Sequence, residues 1–180
     1  MPRHYHYVGP LQFIPKADDM PVRFRVTQAA DVQNWQTVTA PEKEMDGSYA
    51  ATFIVDSDGH LWIADRRSEH VACARAAAVL AAGEMFFEIS KKQVCILRVT
   101  NQSTGYCPEP ASWEAVACAL KHTDIPHPAA YEDPFEFRFC IPCRNICLIK
   151  DEDFTCPLCE APLPEIWNLE EAWGTVDQQG

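Results

Sequence analysis

Phe139-Cys140-Ile141-Pro142-Cys143 and, twelve residues later, Cys156-Pro157-Leu158-Cys159 decide how the C-terminal part of this chain is read. A Cys-x-x-Cys pair puts two sulfurs on one tight turn, facing a common point. Two such turns supply the four thiolates of a tetrahedral site. The spacing therefore predicts a zinc ribbon with Cys140, Cys143, Cys156 and Cys159 as ligands. Ile146 to Lys150 and Phe154-Thr155 are expected to pair as strands around an Asp151-Glu152-Asp153 turn. Four protein ligands close the coordination sphere, so the metal is expected to fold the module rather than to catalyse. Iron in a rubredoxin-like site is the alternative occupant, since thiolates hold both ions. Cys147 reads as a small packed side chain beside the site.

The surroundings of the motif are acidic. Glu132 to Ala172 carries ten Asp and Glu against Arg138, Arg144 and Lys150, and the whole chain has a formal net charge of −11. Such a surface repels phosphate backbones and anionic membranes, so no nonspecific nucleic-acid binding and no membrane association is expected. Protein contact suits an acidic ribbon better. Trp167 and Trp173 are candidate anchors for a partner or covers for the ribbon's own apolar face.

Composition sets the broad class. Hydrophobic residues make up 47% of 180 positions, enough for a globular core. The polar start, Met1 to His6, does not read as an export signal, and the small-apolar run from Ala76 to Ala82 is too short to span a bilayer. Nine cysteines, an odd number, then read as metal chemistry in a reducing, cytoplasmic setting rather than as a disulfide framework.

Upstream of the ribbon the pattern is α+β: a mainly antiparallel sheet with two or three helices over residues 1–130, followed by the ribbon and tail over 131–180. Val22 to Val26 alternates as a strand, and Thr27 stands where it would cap a helix through about Val38. Thr52 to Asp56 and Leu61 to Ala64 form a hairpin across Ser57-Asp58-Gly59-His60. Val71 to Ala82 reads as helix by its alanines, or as strand from Val79. Met85 to Ile89 and Val94 to Val99 make a second hairpin. Ser112 to Lys121 is an amphipathic helix with Ser112 as its N-cap, and Thr123 to Pro134 reads as a linker.

Two central stretches concentrate polar and reactive side chains: Arg67-Ser68-Glu69-His70-Val71-Ala72-Cys73 and Asn101-Gln102-Ser103-Thr104-Gly105-Tyr106-Cys107-Pro108. Three uses are open. They are structural, with His70 serving backbone groups and Cys73 and Cys107 filling the core. They are enzymatic, with Cys107 as a nucleophile, His70 as its base and Asn101 or Glu69 orienting the imidazole. Or they build a second metal site from His70, Cys73, Cys107 and another thiol.

His70, Ala81-Ala82-Gly83 and the Ser103, Tyr106, Pro108 set resemble a pattern in plant calmodulin-binding IQ-motif proteins and bacterial toxin-like proteins. Those proteins tend to carry Gly-His before the Tyr, where this chain has Thr104-Gly105. A transferase pocket of ADP-ribosyltransferase type, using His70, Tyr106 and Glu84, is the related enzymatic option. The Tyr5-His6-Tyr7-Val8-Gly9-Pro10 start together with the ribbon resembles a widespread bacterial family of uncharacterised proteins. That resemblance implies an architecture and no reaction. The expected function is a zinc-binding protein that acts through a protein partner, within a multi-gene bacterial system. A small enzyme built on His70, Tyr106 and Cys107 is the alternative.

Overall fold

A computed structural model describes residues 1–173, without the side chain of Trp173. Its centre is β2 (Tyr49–Asp56), whose residues 50–55 are buried on both faces. A strand covered on both sides reads as a continuous apolar run, which Ala50 to Val55 supplies apart from Thr52. β3 (Leu61–Asp65) pairs with β2 on one edge and β4 (Val79–Ile89) on the other. β1 (Arg23–Arg25) and β5 (Val94–Val99) complete an antiparallel sheet of order β1-β3-β2-β4-β5. The protein is thus α+β, with this sheet as its frame.

Side chains of alternate residues point to opposite faces of the sheet. Ala51, Phe53, Val55, Ile63, Met85 and Phe87 face one core, which α1 (Ala29–Thr39) and α3 (Trp113–Leu120) close with Val32, Trp35, Val116 and Leu120. Ile54, Ala64 and Ala82 face a second core. There they meet Tyr5, the one-turn α2 (His70–Cys73), Tyr106 and Cys107. The ribbon strand β6 (Glu136–Cys140) adds Phe137 and Phe139, and the segment behind the ribbon adds Trp167 and Leu169. A last one-turn helix, α4 (Glu170–Trp173), ends the described chain.

Gly83 is fixed by this packing. A Cβ there would stand 1.9 Å from the Thr100 carbonyl oxygen, where the chain leaving β5 crosses β4. The chain between Val71 and Ala82 divides: one helical turn to Cys73, then strand from Val79.

Three local expectations need correction. Thr27 does not cap α1. Gln28 is the N-cap, and the Asp31 carboxylate accepts the backbone N–H of Thr27 and Gln28 as well as the Thr27 hydroxyl. Ser112 does not cap α3 with its side chain, because its hydroxyl pairs with the Tyr131 hydroxyl at 2.9 Å. Nor is Thr123 to Pro134 a free linker. Ile125 and Tyr131 are buried, and the segment lies against β5: the Ile96 N–H donates to Pro126 O, and the Glu132 N–H to Val99 O.

Candidate metal centre

The ribbon is built on β6 and β7 (Asn145–Ile149), paired antiparallel with Arg138 opposite Cys147 and Cys140 opposite Asn145. This corrects the expected pairing of Ile146–Lys150 with Phe154-Thr155. The main partner of β7 lies before it in the chain; after it, among the described residues, there are single bridges, Lys150 with Asp153 and Thr155 with Pro162. The alternation Phe135-Glu136-Phe137-Arg138-Phe139 was the available signal for β6.

The two Cys-x-x-Cys turns have the same construction. The Arg144 N–H donates to Cys140 O at 2.7 Å, and the Glu160 N–H donates to Cys156 O at 2.9 Å. Arg144 and Glu160, each just after the second cysteine of its pair, both take left-handed backbone, at φ 57° and 60°. The chain reverses sharply there, so both sulfurs of each turn face inward. Asp151 and Glu152, also at positive φ (52° and 58°), close the intervening turn in the manner of a two-residue hairpin.

The result is one cluster. The sulfurs of Cys140, Cys143, Cys156 and Cys159 all lie within 4.8 Å of one another. Cys140 and Cys159 are 3.5 Å apart, and Cys143 and Cys156 are 3.6 Å apart. Four sulfurs at about 2.3 Å from a common ion would stand about 3.8 Å apart, so the cluster is sized for a metal ion. The Leu158 and Cys159 N–H groups point at Cys156 and hold its thiol below its ordinary value. Such a donor set could hold a metal ion.

Polar side chains lock the ribbon in place. Arg138 is buried. Its guanidinium donates to Pro164 O at 3.0 Å, Glu165 O at 2.6 Å and Phe137 O at 2.9 Å, and pairs with Glu136 at 3.0 Å. Asn168 pairs with both backbone groups of Phe139, so its amide stands in for a neighbouring strand along the outer edge of β6. Trp167 covers the ribbon's inner face. Its Nε1 donates to Cys107 O at 2.9 Å, and its ring meets Tyr5 edge-on at 5.4 Å. Trp173 as an anchor lies outside the described side chains.

The central candidates are placed differently from one another. Cys107 is fully buried at φ 47°, with its sulfur directed at Thr104 O at 3.3 Å. Burial pushes its thiol up to about 12, opposite to the depressed value of an activated nucleophile. Tyr106 is buried too, and its hydroxyl donates to Ala77 O at 2.8 Å. His70 Nε2 donates to Gly83 O at 2.9 Å, which fixes the neutral tautomer, and burial holds the ring's pKa below its ordinary value. His70 and Cys107 are therefore bonded to backbone carbonyls rather than to each other.

Asn101 does not orient His70. Its amide donates to Pro108 O and Phe135 O and accepts the Phe135 N–H, tying the central loop to the start of β6. Cys73 is buried, with its thiol pushed up to about 12 by burial. Among the described residues, His70, Cys73 and Cys107 do not converge within reach of one ion. His70 and Glu84 do share a polar hollow of about 220 Å³ with Arg66, Arg67, Glu69 and Thr104, from which Tyr106 and Cys107 are absent. Arg66 crosses this hollow to pair with Glu84 at 3.5 Å.

Asp56, Asp58 and His60 also come within reach of one another at the β2–β3 turn. The Asp56 carboxylate is spent there on the N–H groups of Asp58 and His60 and on Trp62 Nε1. That trio shapes the hairpin. Among the described residues, no helix is long and apolar enough to cross a membrane. Compared with protein-family models, with curated proteins and with solved structures, the chain matches none.

Proposed function

We propose that Cys140, Cys143, Cys156 and Cys159 bind one zinc ion as a closed, structural site, and that the ribbon so formed docks a protein partner in the cytoplasm. The observation that carries the metal reading is the convergence of four sulfurs from two matching turns. With all four positions taken by the chain, none is left for a substrate or water, so the ion's contribution is to folding. Zinc is favoured over iron because it takes tetrahedral thiolate sites without a redox requirement.

The partner reading rests on what the turns present outward. Ile141 is 57% exposed and Leu158 67% exposed, one on each Cys-x-x-Cys turn. Two aliphatic tips on an acidic, metal-stiffened module suit an apolar contact ringed by basic groups on the other protein. They suit nucleic acid poorly, because four thiolates on a divalent ion add about −2 to a surface already negative.

X-ray absorption at the zinc edge tests the metal half. Four sulfur neighbours at about 2.3 Å are expected. A mixed sulfur and oxygen or nitrogen shell would overturn the closed site. For the partner half, Ile141→Asp with Leu158→Asp should keep the zinc and abolish a stoichiometric complex that the wild-type chain forms in its own cells. A complex that survives both substitutions would move the docking surface off the ribbon.

A further inference from the structure

The two edges of the ribbon hairpin differ. Along β6 the outward backbone groups are covered: Asn168 pairs with the N–H and C=O of Phe139, and Arg138 Nη1 donates to Phe137 O. Phe139 stands opposite Ile146, and Phe137 opposite Leu148. In an antiparallel ladder a residue whose backbone groups face outward is opposed by one whose groups face outward on the other side. The N–H and C=O of Ile146 and Leu148 therefore point away from β6. Among the described residues, none of these four groups has a hydrogen-bond partner. The chain that follows turns back at Lys150 and Asp153 without covering them. The Thr155 N–H goes to the Asp153 carboxylate, and Thr155 bridges to Pro162. A cleft of about 460 Å³ is left there, lined in part by Ile146, Leu148, Thr155, Pro157 and Leu158.

Charge marks the same edge. Of the three cations between Glu132 and Ala172, Arg138 is buried and paired with Glu136. The other two, Arg144 and Lys150, are exposed and stand immediately before and after β7. Neither has an ion pair among the described residues. An acidic ribbon thus keeps both of its exposed cations for the two ends of its open edge.

We propose that β7 takes up an extended segment of the partner protein as an added strand, apolar at its centre and acidic at both ends. This rests on the docking reading above and names the chemistry of what docks. Backbone hydrogen bonds to Ile146 and Leu148 set the register, the cleft receives apolar side chains, and Arg144 and Lys150 pair with the acidic ends. Beyond those ends the ribbon stays acidic and suits basic groups on the partner. A second copy of this chain fits poorly. Antiparallel pairing of β7 with itself about Cys147 would set Arg144 against Lys150 of the other copy, cation on cation.

The probe is a capped seven-residue peptide, Glu-Thr-Val-Thr-Val-Thr-Glu, titrated into the zinc-loaded full chain, with amide exchange read by NMR. In the free chain the Ile146 and Leu148 amides should exchange fast, and those of Cys147 and Ile149, which face β6, slowly. Saturating peptide should slow Ile146 and Leu148 at least about tenfold. A peptide with Lys at both ends should bind about tenfold more weakly, and one N-methylated at both Val should not bind. Arg144→Glu with Lys150→Glu should reverse the preference to the Lys-ended peptide. Unchanged exchange at Ile146 and Leu148, or equal affinity for the two peptides, overturns the added strand. So does slow exchange at both amides before peptide is added, whether a second copy or the chain itself covers the edge. If the edge fails in this way while Ile141→Asp with Leu158→Asp still abolishes the cellular complex, the docking reading stands without it. If that complex survives those two substitutions, the docking reading itself fails.

Discussion

The five-stranded sheet and the ribbon are held together by different means. The sheet is covered on both faces, and one of its two cores alone gathers Trp35, Phe53, Ile63, Met85, Phe87 and Leu120, all fully buried. Each such side chain contributes roughly 1.5–3 kcal/mol by leaving water. The ribbon's own core is Cys140, Cys147, Cys156 and Leu163, so three of its four buried members are thiols. Four small or medium side chains cannot offset the ordering of the two turns around them. A bound structural zinc is worth about 10–16 kcal/mol in apparent binding free energy at neutral pH, which is the scale the ribbon lacks. One region is folded by buried area; the other has little of it and carries the four sulfurs with which a metal could supply the difference.

The largest expected effect separates the regions outright. Chelation of the metal should strip hydrogen-exchange protection from about residue 140 to 163, while β2 and β4 keep theirs. β6 marks the boundary, because Phe137 and Phe139 belong to the sheet's second core. Uniform loss of protection across the chain would mean that the sheet depends on the ion as well.

Thiol chemistry sharpens the contrast. Burial raises Cys107 from 9.0 to about 12, so at pH 7.5 its thiolate fraction is about 1000-fold below that of an unshifted thiol. Below both values the group is protonated in either state, so this penalty matters only to reactivity near neutral pH. Alkylation read by mass spectrometry should mark the exposed Cys118 and the half-buried Cys95 long before Cys107. Prompt labelling of Cys107 would revive it as a nucleophile.

Within the sheet, Gly83→Ala should cost about 3 kcal/mol, because the new methyl meets backbone that cannot yield, with the metal content unchanged. Asn101→Ala should cost about 2 kcal/mol by leaving Pro108 O, Phe135 O and the Phe135 N–H without their partner. Both are read from denaturant unfolding. A neutral Asn101→Ala would mean that the ribbon does not lean on the central loop.

Legibility in the sequence followed locality. The four ribbon cysteines are fixed by two spacings of three, and the Asp58-Gly59 hairpin by a two-residue signal, so both could be read directly. The α1 start was read to within one residue, although Asp31 rather than Thr27 organises it. Asn101 was misread because its partner, Phe135, lies 34 positions away and an Asn in a loop carries no periodicity. Arg138 reads as a surface charge in the sequence, since nothing local reveals the carbonyls of Pro164 and Glu165 that receive it. Proline and histidine gave 123–134 the look of a linker, and only Ile125 and Tyr131 hinted at burial. His70 and Cys107 were joined by chemistry rather than by geometry, and each is satisfied by a different backbone carbonyl.

If four cysteines hold one ion and that ion folds the ribbon, the metal content must follow those sulfurs. Native mass spectrometry of the full chain against Cys156→Ser tests it most directly, because Cys156 is the sulfur that both Cys143 and Cys147 adjoin. One zinc per wild-type chain and essentially none in the variant is the expected result. A metal-free wild type, or a Cys156→Ser chain that still carries a full equivalent of zinc, would contradict it.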